Sequence, residues 1–222
     1  MLKSKNTTIA IVDSGIGGVS VLKELIKKHK FGNYIYFADN LNMPYGNKSK
    51  KWLTNRIDYI VNLLKEKYSA DIIILACNTA STCYENTCEN LVKMRFDSKY
   101  VYYATNLTKK NLETINVISD RTLAKQIEKH VFNTEIIYKI IKRHVHKHKL
   151  NELKEFVLGC THYELCKPIF EHYCPNTNVI NNSSFIINFV NFKNENNEKN
   201  IVILLSKKDF QLENKILRLL KL

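Results

Sequence analysis

Proline and glycine are scarce, three and six among 222 residues, which excludes collagenous, elastomeric and linker-rich chains. No apolar run approaches the roughly 20 residues that a membrane-crossing helix needs. Residues 1–11 pass from a short polar leader straight into a strand, without the apolar stretch and small-residue cleavage site of a signal peptide. A soluble, cytoplasmic protein that engages no membrane is therefore expected. None of the six cysteines forms a C-x-x-C pair, so zinc knuckles and thioredoxin-like motifs have no support. Nor is a disulfide framework expected in a chain of this size without a secretory signal. Acidic residues are the minority charge, 21 against 34 Lys and Arg, for a formal +13. The basic residues are spread along the whole chain beside 26 Asn and no aromatic-interleaved recognition motif. They read as a solvated surface, and nucleic acid is not an expected partner.

What is present is a globular balance, 45% hydrophobic and 25% charged. Apolar strands are expected at residues 8–13, 34–38 and 72–76, with helices after the first two and a third over 84–91. The second half repeats the scheme: strands at 100–105, 155–159 and from Val179, and helices at 122–131 and 135–148. A last strand covers 201–205, and Ser206 with Asp209 suggests a capping box for a C-terminal helix. Residues 191–200 read as an exposed low-complexity loop. Such alternation marks parallel sheets flanked by helices. The expected fold is α/β, with two pseudo-symmetric doubly wound domains of mainly parallel sheet and the active site in the cleft between them. The expected divisions are residues 1–92 plus 186–222, and 93–185. In the basic stretch 139–149, apolar residues recur at helical spacing, so its charges are the outer face of an amphipathic helix. His144 and His148 stand four apart there, but with no third ligand at a familiar spacing both read as surface histidines. No metal is expected.

Two segments match each other. Residues 74–79 (Ile-Leu-Ala-Cys-Asn-Thr) and 157–162 (Val-Leu-Gly-Cys-Thr-His) are apolar strands that each deliver a cysteine, Cys77 and Cys160, 83 positions apart. Ligands of open α/β sheets bind beyond the carboxyl ends of strands. Two thiols presented from opposite walls suit the inversion of a C–H stereocentre, where one group removes the proton and another returns it on the far face. A thiol with an unperturbed pKa of about 8.5 needs a neighbour that accepts or relays its proton. Asp13 and His162 are placed for that duty, and the amides of Gly15–Gly18 are candidates to bind a substrate carboxylate. A dinucleotide site at these glycines is excluded, because Ser20 stands where the third glycine belongs.

Four motifs resemble glutamate racemase, in that family's order: Asp13-Ser14-Gly15-Ile16-Gly17-Gly18; Ala38-Asp39 with Pro44-Tyr45-Gly46-Asn47-Lys48-Ser49; Ala76-Cys77-Asn78-Thr79-Ala80-Ser81; and Leu158-Gly159-Cys160-Thr161-His162-Tyr163. The resemblance covers residues 8–92 and 154–170. It implies a cofactor-independent isomerase interconverting L- and D-glutamate, with the D-form feeding peptidoglycan synthesis, cell-wall biogenesis and cell shape. Cys77 would take the proton from D-glutamate and Cys160 from L-glutamate, assisted by Asp13 and His162. Ser14, Tyr45, Gly46, Asn78, Thr79 and Thr161 would hold the amino and carboxylate groups, with Asp13 and His162 also in contact. Ala104-Thr105-Asn106-Leu107-Thr108 looks like another family stretch and adds Thr105. Glu128 is the candidate carboxylate partner of His162. Relatives of this kind are commonly homodimers.

The likeness fails in the middle of the chain. Only 27 positions separate Cys77 from Ala104, fewer than is usual, and Asn181-Asn182 stands where an Asp is usual. An aspartate racemase is one alternative, disfavoured by His162 where such enzymes carry Glu. A catalytically inactive descendant that binds or regulates is the other. The plainer readings are strand-end packing for the cysteines, a helix cap for Asp13, a structural histidine, a simple turn at Tyr45-Gly46 and a surface position for Glu128.

Overall fold

A computed structural model describes residues 6–188, 190, 192 and 197–221. Its first sheet has the order β4-β3-β1-β2-β9, built from β1 (Thr8–Asp13), β2 (Gly32–Ala38), β3 (Ile72–Leu75), β4 (Leu91–Lys93) and β9 (Lys199–Leu205). The second, in the order β6-β5-β7-β8, contains β5 (Tyr102–Thr105), β6 (Val117–Asp120), β7 (Glu155–Gly159) and β8 (Asn178–Asn181). Every described pairing is parallel. The α/β class and the two helix-flanked sheets match the expectation.

Parallel strands covered on both faces need apolar residues on both sides, and β1 meets this from Ile9 to Val12. Ile9 and Ile11 enter one core with α1 (Val19–Lys28), while Ala10 and Val12 enter another with α2 (Lys50–Tyr68). The second sheet also has two cores, one of them built with Ile127 of α5 (Leu123–His130) and with Ile137, Ile141 and Val145 of α6 (Thr134–His148). At the C-terminus, α10 (Phe210–Lys221) buries Leu212, Ile216 and Leu219 against the first core. Each such side chain contributes about 1.5–3 kcal/mol, enough to hold this amphipathic helix in place. Among the described residues, no helix is long and apolar enough to cross a membrane.

Several local expectations are corrected. No helix covers 84–91: the helix after β3 is α3 (Asn78–Cys83), which ends before Tyr84, and the chain then enters β4 beside β3. The short strand β6 and helix α4 (Asn106–Lys110) had no sequence reading. Lys199 and Asn200 open β9 rather than lying in a loop. Of that loop, residues 191 and 193–196 lie outside the described residues, and Phe192 is half-buried. The C-terminal helix is capped by Asp209 alone, whose carboxylate accepts from the Gln211 and Leu212 amides. Ser206 instead accepts from the Leu41 amide and donates to Asn40.

Candidate active site

Both cysteine strands end at one cavity of about 720 Å³ between the sheets. Cys77 follows β3 and is the N-cap of α3; Cys160 follows β7 and is the N-cap of α7 (Thr161–Glu164). Both thiols are buried, and both line the cavity. Gly159 lets β7 lie close to β5, because a Cβ there would stand 2.9 Å from that of Ala104. Ser14, Tyr45, Gly46, Asn78, Thr79 and Thr105 share the wall, as do Glu128, Thr161 and His162.

Asp13 is fully buried and not part of the wall. Its carboxylate accepts from the Gly15 amide at 2.9 Å and the Thr161 hydroxyl at 3.0 Å. Burial raises its pKa against the opposing pull of His162 and these two donors. Burial also pushes the Cys77 thiol well above its usual range, and the charge of Asp13 adds to the effect.

Glu128 is on α5, and its Oε2 stands 2.5 Å from His162 Nε2. Burial alone would raise the Glu128 pKa, but the hydrogen bond to His162 brings it below the ordinary value. Burial would likewise lower the His162 pKa, yet its bonds to the Cys160 sulfur and to Glu128 hold it well above. His162 therefore sits between a carboxylate and a thiol that both favour its protonated form.

Two of the glycine-loop amides expected to bind a ligand are already engaged. Gly15 N–H is taken by Asp13 and Ile16 N–H by Glu128, so this loop does bind carboxylates, but the protein's own. Its glycines instead allow close approach between the two sheet systems. A Cβ on Gly17 would lie 2.3 Å from Thr161 Oγ1 and 2.9 Å from the His162 amide nitrogen.

Opposite, Asp39 accepts a bidentate pair from Arg56 at 2.7 and 2.9 Å and a third bond from the Tyr45 hydroxyl at 2.8 Å. The Tyr45 hydroxyl is thus committed to Asp39, and this cluster fixes the loop that presents Gly46. Asn78 accepts from Asn182 Nδ2 at 2.5 Å, and its own buried Nδ2 has no partner. Asn78 lines the cavity beside Thr79 and Thr105, whose hydroxyls are linked to each other and to that of Thr108 behind them. Sequence reasoning missed the hold of Asn182 on Asn78. It also missed Arg121 and Lys125, exposed cations on the cavity rim. Lys125 stands three residues before Glu128 on α5 and so shares its face, which was the available signal; Arg121 precedes the helix. His144 and His148 are not surface histidines: one is buried, the other half-buried, and Asp120 lies against both.

No family model matches the chain. The Buchnera aphidicola (Schizaphis graminum) glutamate racemase is 31% identical over 225 residues, covering 87% of this chain and 88% of that protein. Glutamate racemase 2 of Caldanaerobacter subterraneus subsp. tengcongensis is 31% identical over 195 residues, covering 73% and 71%. In fold, the Bacillus anthracis glutamate racemase isoform RacE1 superposes with a TM-score of 0.79 at 20% identity, over 98% of this chain and 95% of that one. With relatives this similar over this much of their length, the chain belongs to the glutamate racemase family.

Proposed function

We propose that the protein interconverts L- and D-glutamate without a cofactor, through Cys77 and Cys160 acting on opposite faces of the α-carbon. The observation that carries this reading is the pair of buried thiols delivered to one cavity by two different strands, with His162 bonded to Cys160 and the charge of Asp13 felt at Cys77. Cys77 takes the α-proton of D-glutamate and Cys160 that of L-glutamate. The other thiol returns a proton on the far face in each direction, so the enzyme leaves each turnover in the opposite protonation state. Asp13 exchanges a proton with Cys77, and the His162 imidazolium stabilises a thiolate at Cys160.

Substrate binding follows from the same wall. The unpartnered Asn78 amide and the Thr79 and Thr161 side chains hold the α-carboxylate and amino groups, together with Ser14 and Gly46. Tyr45 contributes its ring and backbone. Arg121 and Lys125 draw a substrate with two carboxylates and net negative charge toward the rim, and Thr105 closes its far side. The product serves peptidoglycan synthesis in the cytoplasm, and the working form is a homodimer. Both statements rest on family membership. The domains are residues 1–92 with 186–222, and 93–185, facing one cleft.

The test is chiral analysis of purified protein incubated with each glutamate enantiomer, with aspartate enantiomers alongside. Both glutamate reactions should approach an equal mixture while aspartate is left unchanged. Turnover of aspartate alone would overturn the substrate assignment.

A further inference from the structure

We propose that Asp120, His144 and His148 bind one divalent transition-metal ion, zinc foremost, at the junction of β6, α5 and α6. His144 and His148 are four apart on α6 and so share a face, and Asp120 ends the neighbouring β6. Asp120 Oδ2 stands 3.2 Å from His148 Nε2 and 3.4 Å from His144 Nδ1, and all three ligand atoms lie within 4.8 Å of one another. A tetrahedral zinc with bonds of about 2.0–2.1 Å sets its ligands about 3.3 Å apart. Two of the three edges already have that length.

The groups around the three side chains prepare them for this. Asp120 divides its oxygens: Oδ1 accepts from the Thr122 and Leu123 amides and the Thr122 hydroxyl, at 2.7, 3.0 and 2.9 Å. Oδ2 is left to face the imidazoles. His144 Nε2 lies 3.2 Å from the Gln126 side-chain oxygen, which places the proton on Nε2 and turns the Nδ1 lone pair toward Asp120. A histidine whose second nitrogen donates to a carbonyl is the usual outer support of a metal ligand. The Asp120 and His144 side chains are 3% and 4% exposed and that of His148 is 14% exposed, so this is an interior cluster.

Two groups occupy the metal's place. The Tyr103 hydroxyl lies 3.0 Å from His144 Nδ1, and Lys147 Nζ lies 3.3 Å from Asp120 Oδ2. Lys147 is 62% exposed along its side chain and can swing into water. The N₂O donor set suits zinc and its neighbours in the transition series, with water filling the remaining position. The ion takes no part in racemisation. It fastens the start of α5, the helix that carries Glu128, to α6, and so steadies the second sheet's side of the cavity.

The experiment is calorimetric titration of purified protein with zinc in a non-chelating buffer. Because free thiols also bind zinc, the Cys77→Ala/Cys160→Ala protein is titrated in parallel. One equivalent should bind in both, and zinc should raise the thermal midpoint. His148→Ala, or His148→Gln if the alanine variant is unfolded by circular dichroism, should weaken binding at least tenfold and abolish the thermal shift. Lys147→Ala removes the competing cation and should bind at least as tightly as wild type. No binding in the double-cysteine variant, unchanged affinity in the His148 variants, or weaker binding by Lys147→Ala would overturn the proposal. None of these readouts depends on racemase activity.

Discussion

Glu128 of α5 and His162 of α7 meet at 2.5 Å between Oε2 and Nε2, and the same carboxylate oxygen accepts from Ile16 N–H of the first sheet system at 3.3 Å. One side chain thus links both halves of the cavity and sets the charge of the histidine beside Cys160. Glu128→Gln removes an opposing charge that holds the His162 pKa up. The expected result is a fall of about one pH unit or more in the His162 titration, followed by NMR. The alkaline limit of turnover starting from L-glutamate should fall with it. A histidine whose titration is unmoved would assign Glu128 to packing.

The same pair predicts a stability profile. The folded-state pKa of His162 is raised, so its contribution is complete below about pH 6.5 and is lost as pH climbs through the folded value. That of Glu128 is lowered, so its contribution is present above about pH 4.3 and lost as pH falls through its folded value. Urea unfolding should show the pair's contribution greatest between these limits. It should be absent from Glu128→Gln.

Glu164 gives the opposite sign. It is buried, bonded to Ser20 and to the Ser183 amide, and burial pushes its pKa up to about 7. An acid whose pKa is raised on folding costs nothing below its unfolded value and destabilises increasingly up to about pH 7. The penalty above that is about 3 kcal/mol, at 1.36 kcal/mol per pH unit. Glu164→Gln should therefore gain stability over wild type at pH 8 and not at pH 4, measured by urea midpoints at both.

Gly17 has no room for a methyl group, with Thr161 Oγ1 and His162 Nδ1 2.3 and 2.7 Å from where it would sit. Gly17→Ala should cost about 1–3 kcal/mol of stability. Its larger effect should be on kcat, through displacement of His162 and of the Thr161–Asp13 bond; a fall of about 100-fold is expected from a displacement on the order of 1 Å. Steady-state kinetics beside a denaturant curve separates the two.

What could be read from the chain divides along physical lines. The strands β1, β3 and β7 are short apolar runs ending in polar residues, and their buried positions made both sheets and both cysteines legible. β4 and β6 were not, being three and four residues long and lacking a continuous apolar run. The glycine loop was correctly placed, but the engagement of its Ile16 amide was not legible, because the carboxylate that takes it comes from a helix more than 100 residues away. The contacts of Asn182 with Asn78 and of Asp120 with His148 were not legible for the same reason: each joins partners distant in sequence.

The central claim is that Cys77 and Cys160 act as two bases on one α-carbon, and solvent exchange tests it most directly. L- and D-glutamate are incubated with the protein in D₂O and the α-proton signal is followed by NMR. The account predicts loss of that signal from both enantiomers by the wild type and no exchange by Cys77→Ala/Cys160→Ala. Exchange that persists in the double variant, or a folded wild type that exchanges neither enantiomer, would contradict it.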